Sequence, residues 1–231
     1  MVVIFGISSG IGKEIAKSIS KDEKVFGTYN STNNLEDLDI NNIILEKVNL
    51  MNIDEIKKYI GQFKNSKEKI TVLNTAVLNT DSIINNAKIE DLDSSFSLNI
   101  KSNFVIAQEF APIMMDNKFG RFIYFSSIVA RHGAIGASIY GLSKASLLGL
   151  SRSIALEYGR FGITSNVLEL GYFDLGLGFK LKNDHSSKIL KAIPSHKFGT
   201  IENVIEAILF CQKSNYLNGS VITIDGGIQL V

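Results

Sequence analysis

Cysteine is almost missing: Cys211 is the only one in 231 residues. No disulfide can form within the chain, which fits a reducing compartment. Proline occurs twice, at Pro112 and Pro194, and neither lies in a linker-like tract. Charge of one sign is lacking as well. The 24 Lys and Arg face 23 Asp and Glu, a net charge of +1, so no electrostatic argument exists for nucleic acid or a membrane surface as partner. No apolar run reaches the roughly 20 residues that a helix needs to span a bilayer. Repeats and low-complexity tracts are absent. The opening residues M-V-V-I-F-G carry no basic stretch and are needed as a strand, so no signal peptide is expected and the expected location is cytoplasmic. His132, His185 and His196 show no metal-ligand spacing, and no metal is expected.

What is present is apolar. Hydrophobic residues make up 45% of the chain and mean hydropathy is +0.15, enough for the core of one α/β domain over 1–231. Short β-branched and aromatic runs alternate with helical periodicity. Strands are expected at 2–5, 24–28, 43–48, 70–73, 121–125, 163–168 and 220–224. Helices are expected after Gly10, over 53–63, 94–116, 138–160 and 201–213. This alternation predicts a Rossmann-type, doubly wound parallel sheet with helices on both faces. Ligands then bind at the carboxyl ends of the strands, near the point where the strand order reverses.

The first strand runs into Gly6-Ile7-Ser8-Ser9-Gly10-Ile11-Gly12, followed by a helix with Ile11, Ile15 and Ile19 on one stripe. Strand, glycine-rich turn and helix together form a dinucleotide cradle. The glycines let the backbone approach a pyrophosphate, and the helix start supplies free N–H groups and the positive end of its dipole. The spacing is G-x-x-x-G-x-G. An acid at the end of the second strand would select NAD through the ribose hydroxyls, and a base would favour the 2′-phosphate of NADP. Tyr29, Asn30, Ser31 and Thr32 stand there instead. With no acid to repel a phosphate, NADP is the expected cofactor and NAD the alternative.

In the stretch Ser126–Lys144, Tyr140 precedes Lys144 by four residues, so a helix places both on one face. A neighbouring ammonium favours the phenolate, so Lys144 is expected to pull the Tyr140 phenol down towards the working pH. Tyr140 then suits proton transfer to or from an alcohol. Ser127 lies thirteen residues earlier, at the end of an apolar run, where its hydroxyl can meet a substrate carbonyl. Gly6–Gly12, Asn74–Ala76, Ser127 and Gly171 all fall at expected strand ends. Asn99 and Tyr140 sit on helices that start there.

With these motifs the chain resembles the classical short-chain dehydrogenase/reductases over nearly its whole length, and is similar in look to 3-oxoacyl-[acyl-carrier-protein] reductases. The carrying residues are G-I-S-S-G-I-G, N-T-A-V at 74–77, Asn99 in S-L-N-I-K-S-N-F, Ser127, and Tyr140-x-x-x-Lys144. R-F-G-I-T-S-N-V at 160–167, I-P-S-H-K-F-G at 193–199 and I-D-G-G at 224–227 add to them. The resemblance implies hydride transfer between NADP or NAD and a carbonyl or secondary alcohol. Tyr140 would be the general acid/base, Lys144 its modulator and a ribose ligand, and Ser127 the group that orients the carbonyl. Asn99 would hold a water linking Lys144 to solvent. Gly6, Ser8, Ser9, Gly10, Ile11 and Gly12 would wrap the pyrophosphate and adenosine end. Asn30, Asn49 and Leu50 would lie at the adenine side, with Asn74, Thr75 and Ala76 along the middle. Tyr140, Lys144, Gly171 and Phe173 would stand at the nicotinamide end. The two long helices would form the faces of a homotetramer, or of a homodimer.

Two departures from the family pattern stand out. Val77 replaces a glycine in the usual N-N-A-G, and Leu175 stands where the family keeps a threonine for the nicotinamide carboxamide. The expected substrate loop, 173–198, carries Lys180, Lys182, Lys188, Lys191 and Lys197 against Asp174 and Asp184. That excess suits either an anionic or carrier-bound substrate, or merely a solvated helix. Gly133–Gly136 are expected on the substrate side, with His132 in an exposed loop and Cys211 in the core. Two other readings remain at this point: a family member acting on a sugar or specialised metabolite, and a non-catalytic nucleotide-binding or scaffold protein on the same fold.

Overall fold

Val2, Val3, Ile4 and Phe5 have no exposed surface at all, because they form a strand covered on both sides. Such burial is why parallel strands read as unbroken apolar runs. The computed structural model, which describes residues 1–8, 10–30, 35–38, 40–175 and 186–230, has seven strands, and the inner ones follow this rule while the two at the sheet edges are more exposed. The seven are β1 (Val2–Phe5), β2 (Val25–Tyr29), β3 (Ile43–Lys47), β4 (Ile70–Asn74), β5 (Gly120–Ser127), β6 (Ile163–Leu170) and β7 (Val221–Ile224). They form one all-parallel sheet in the order β3-β2-β1-β4-β5-β6-β7. The order reverses between β1 and β4, so a crevice opens at their carboxyl ends.

Helices cover both faces. α1 (Gly10–Ile19) and α8 (Ile201–Lys213) lie on one side, where Ile15, Ile19, Val204 and Ile208 join Leu73, Ile123 and Leu168 in one apolar cluster. α2 (Ile53–Gly61), α4 (Ser102–Asp116) and α6 (Ser138–Tyr158) lie on the other, where Ile56, Ile60, Phe110, Leu147 and Ile154 pack on Phe5, Val72 and Phe122. Asn52 starts α2 by accepting from the N–H groups of Asp54 and Glu55 at 3.0 and 3.4 Å, which satisfies donors that a helix start leaves free. Three shorter helices are α3 (Ile89–Phe96), α5 (Val129–His132) and α7 (Ser186–Ala192).

The doubly wound architecture expected from the alternation is the one observed. All seven expected strands are present, with ends shifted by a residue or two. The helix expected at 94–116 differs. It begins at Ile89, and a π-helical turn, Ser97–Lys101, separates α3 from α4. The hydrogen bond from Ser102 N–H to the Ser97 carbonyl spans five residues instead of four, which inserts one residue into the helical register.

β6 carries a charge where the sheet is buried. Glu169 is 5% exposed, and it is held from two sides. Arg131 of α5 approaches its Oε2 through Nη2 at 3.1 Å, and Thr223 of β7 donates to the same oxygen at 3.0 Å. A buried carboxylate requires such partners. Beyond β6 the chain passes Phe173, whose ring packs on Gly199. Asp174 N–H donates to the Gly199 carbonyl at 3.1 Å, and Gly199 N–H donates to the Tyr172 carbonyl at 2.9 Å. The two ends of the expected substrate loop are therefore paired with each other at the sheet. Among the described residues no helix is long and apolar enough to cross a membrane.

Candidate active site

Each end of a central strand delivers one part of the site. β1 ends at Gly6, whose φ of +86° lies in the left-handed region that glycine adopts without steric cost. The turn brings Gly6 against the end of β4, so closely that a Cβ there would lie 2.5 Å from the Ala76 nitrogen. Thr75 tightens the same contact from the other side. Its hydroxyl reaches the Phe5 and Gly6 carbonyls at 3.1 and 3.0 Å, and its Oγ1 fills the space a Cβ on Gly12 would need. α1 opens at Gly10 with no acidic residue in its first turn. Backbone N–H groups and dipole thus face the loop without competition from a carboxylate, as an anionic pyrophosphate requires. The cradle fits a dinucleotide. Ser8, Gly10, Ile11 and Gly12 lie in this turn and the start of α1, while Ser9 falls outside the described residues.

The adenine-side expectations divide. Asn30 is exposed just past β2, and Ser31 and Thr32 fall outside the described residues. Asn49 builds the turn before α2: its N–H donates to Glu55 Oε2 at 2.7 Å and its Oδ1 accepts from Met51 N–H at 3.0 Å. Leu50 is part of the core. At the other end, Gly171 lies against Asp225, where a Cβ would come within 2.7 Å of the Asp225 Cα. Phe173 is buried against Gly199 and in the apolar cluster beside α8.

β5 ends at Ser127, whose Oγ accepts from Val129 N–H at 3.3 Å. α6 carries Tyr140 and Lys144 one turn apart, and the Lys144 Nζ lies 5.7 Å from the Tyr140 ring centre. Asn99, in the π turn, is buried. Its side chain pairs with both backbone groups of Leu78 at 2.8 Å and donates to Ser143 Oγ at 3.0 Å. Ser143 in turn donates to the Tyr140 carbonyl at 2.8 Å. Asn99, Ser127, Tyr140 and Lys144 are therefore brought together at the strand ends, beside Asn74–Ala76.

The electrostatics differ from the expectation. Burial pushes the Tyr140 phenol above its usual value; a hydrogen bond with Ser127 opposes this and the Asp81 carboxylate adds to it. Lys144 does not offset that rise, although its Nζ stands 5.7 Å from the ring centre. Its Nζ donates to the Phe125 carbonyl at 2.7 Å, and burial lowers its own pKa to about 8. A depressed base costs stability wherever it must stay protonated. The penalty is complete below the folded value near 8 and is relieved as pH rises towards the unfolded value of 10.5. Relative to Lys144→Met, the stability of the unmodified chain is expected to rise between pH 8 and 10.5. Urea unfolding of both across that window checks it, and parallel curves would refute it.

Other expectations are simpler to place. Cys211 is fully buried and its thiol is pushed up to about 11, as a packing residue. His132 is exposed, as are Lys188, Lys191 and Lys197. Lys180, Lys182, Asp184 and His185 fall outside the described residues. Among the described residues no group of three or more His, Cys, Asp or Glu could hold a metal ion. Three contacts lie outside these expectations: Thr75 as a clasp on the glycine loop, Ser143 between Asn99 and Tyr140, and the Arg131–Glu169 pair. Ser143 had a visible signal, since it lies on the Tyr140–Lys144 turn. Thr75 and Glu169 had none, because their partners are distant in the chain.

Comparison with known proteins is consistent across three kinds of match. A family model described as enoyl-(acyl carrier protein) reductase matches residues 6–229. A 3-oxoacyl-[acyl-carrier-protein] reductase FabG of Rickettsia bellii is 31% identical over 99% of this chain and 96% of its own. Carbonyl reductase family member 4 of Xenopus laevis is 30% identical over 98% and 97%. Among solved structures, ElxO with NADP bound superposes with a TM-score of 0.91 at 22% identity, covering 100% of this chain and 98% of that one. A short chain dehydrogenase/reductase family protein gives 0.89 at 20%, with the same coverage.

Proposed function

The chain belongs to the short-chain dehydrogenase/reductase family of oxidoreductases, and from that premise we propose that it reduces the ketone of a 3-oxoacyl thioester-like substrate to a secondary alcohol, with NADP(H) as cofactor. One observation carries the reading: Ser127, Tyr140, Lys144 and Asn99 converge beside a glycine cradle shaped for a dinucleotide. When bound, the nicotinamide supplies the hydride. Ser127 Oγ orients the carbonyl and donates a hydrogen bond to its oxygen. As negative charge grows on that oxygen, Tyr140 Oη gives it a proton. Burial keeps the phenol protonated at neutral pH, so the reduction begins with its acid in place. Lys144 would hold the ribose hydroxyls and bring positive charge to the phenolate that remains. Asn99, fixed on Leu78 and Ser143, holds the water path by which Tyr140 regains its proton. Gly10–Gly12 at the start of α1 hold the pyrophosphate.

The relatives' names support the carrier-bound thioester, and the exposed Lys188, Lys191 and Lys197 supply cations for such a substrate. The test is oxidation of NADPH and NADH by the purified protein against 3-oxoacyl thioesters, keto-sugar nucleotides and simple ketones. NADPH turnover on the thioester supports the reading. Turnover confined to a keto-sugar overturns the substrate, and tight NADPH binding without any turnover overturns the enzyme. Phe104 of α4 and Leu142 and Leu156 of α6 are exposed apolar residues on the helices that would form the homotetramer faces. Light scattering is expected to show a tetramer, and a monomer would overturn that assembly.

A further inference from the structure

Asn103 lies one helical turn beyond Asn99, in α4, and has no part in the chemistry just described. It is 4% exposed, among Asn74 at 6% and Asn99 at 3%. The side chains of Asn74 and Asn103 form one hydrogen-bonded relay from the Ala76 N–H to the Asn99 carbonyl. Ala76 N–H donates to Asn74 Oδ1 at 3.1 Å, Asn74 Nδ2 donates to Asn103 Oδ1 at 3.0 Å, and Asn103 Nδ2 donates to the Asn99 carbonyl at 2.7 Å. Its direction is fixed by its ends. A backbone N–H can only donate and a carbonyl can only accept, so each amide between them has one orientation that satisfies both neighbours.

The relay has a mechanical consequence. The stretch 74–78 lines the crevice between the glycine loop and Tyr140. Asn99 grips its far end through both backbone groups of Leu78. Asn103 grips its near end through Asn74, which holds Ala76. Ala76 is also the residue that Gly6 packs against. Two asparagines one turn apart thus clamp both ends of the stretch to the π turn and α4, and Asn103 ties the clamp to the Asn99 peptide itself. Inside the protein, removing one member leaves the others unpaired and unable to reach water.

We infer that Asn103 is a positioning residue: it sets the 74–78 backbone and the Asn99 carbonyl in one geometry, so that cofactor seat and proton path are aligned together. The inference rests on the reductase reading for its kinetic part and on the cradle for its binding part.

Threonine and valine at position 103 have the same shape and differ in one hydroxyl. In a helix a threonine Oγ1 donates to the carbonyl four residues earlier, which at this position is Asn99, and its lone pairs remain open to Asn74. Asn103→Thr therefore keeps the direction of the relay, and Asn103→Val breaks it. The measurements are NADPH Kd by fluorescence, kcat and KM for the carbonyl substrate, and Tm for both variants. Asn103→Val is expected to bind NADPH at least about fivefold more weakly than Asn103→Thr and to turn over at least about tenfold more slowly. KM for the carbonyl should agree between the two, while the unpaired Asn74 amide and Asn99 carbonyl should give Asn103→Val the lower Tm, so Kd and kcat are compared where both variants are fully folded. Equal Kd and equal kcat in the pair under those conditions would overturn the inference. If the unmodified protein turns over no carbonyl, the reductase reading fails by itself. The Kd difference between the two variants then decides the role of Asn103.

Discussion

Tyr140→Phe is expected to lower kcat for carbonyl reduction by about 10²–10⁴-fold, the usual contribution of a positioned general acid, while leaving NADPH affinity within about twofold. The substitution removes one hydroxyl and keeps the ring that lies 5.7 Å from Lys144 Nζ. Packing changes little, so a large effect on kcat isolates the proton. The direction of the phenol's shift adds a second signature. Because burial holds it protonated above the ordinary range, the protein starts reduction as an acid. Alcohol oxidation needs the phenolate, so its rate is expected to climb with pH while reduction falls. Both limbs should vanish in Tyr140→Phe. Residual reduction within about fivefold of the unmodified rate would remove Tyr140 from the mechanism.

Gly6→Ala is expected to abolish measurable NADPH binding and to destabilise the fold. The left-handed φ of +86° is strained for any residue with a Cβ, at roughly 1–3 kcal/mol. The added carbon would also meet the Ala76 nitrogen at 2.5 Å, and crowding of that kind costs about 1–3 kcal/mol more. Together they amount to about 2–6 kcal/mol, or a fall in Tm of about 5–20 °C for a chain of this size. The loss of binding follows from the same contact. If the turn moves away to relieve the clash, it loses its place against Thr75 and the start of α1. Calorimetry and NADPH fluorescence on the same sample check both halves. Unchanged NADPH affinity at a lowered Tm would show that the cradle tolerates the shift, and would separate the loop's fold from its binding task.

The centre of the sheet could be read from sequence because its strands are covered twice. V-V-I-F and F-I-Y-F need no partner to be recognised as interior, and turns rich in glycine or asparagine bound them. Even so, β6 runs on to Leu170 where its sequence suggests an end at 168. Glu169 looks like a strand end in sequence, and only the Arg131 and Thr223 side chains make its burial tolerable. The start of α3 was missed for the opposite reason. I-E-D-L-D is polar and leaves much of its surface exposed, so no apolar stripe marks it. The π turn has no sequence sign, since one extra residue per turn is indistinguishable from a slightly longer helix.

The candidate site divides along the same line. Gly6–Gly12, Ser127, Tyr140 and Lys144 stand in local patterns, and the fold places them together. What the patterns did not reveal is the state of the phenol. Sequence shows that Lys144 is one turn away from Tyr140, but the Phe125 carbonyl that takes its ammonium belongs to a strand nineteen residues earlier. Burial, the dominant influence on both groups, is a property of the packed molecule. Asn103 illustrates the same limit, because its partner Asn74 is twenty-nine residues away and nothing near it in the chain hints at a buried acceptor.

The pairing of Phe173 and Asp174 with Gly199 has a consequence for how such a chain can change over evolution. A segment whose two ends are already joined passes little of any change in its length on to the strands beyond the junction. The entropy of closing a flexible loop grows with the logarithm of its length, so doubling its length costs only about 0.6 kcal/mol. The segment between the junction and Ile193 can accordingly be lengthened, shortened or exchanged at little cost to the sheet, provided that Tyr172, Phe173 and Gly199 are kept, together with Ile193 and Ser195, which pack on Gly226. The junction separates what must be inherited intact, the strands and the proton-transfer residues, from what is free to drift. A new substrate preference can then be acquired by replacing one insert, with no need to rebuild the fold beneath it.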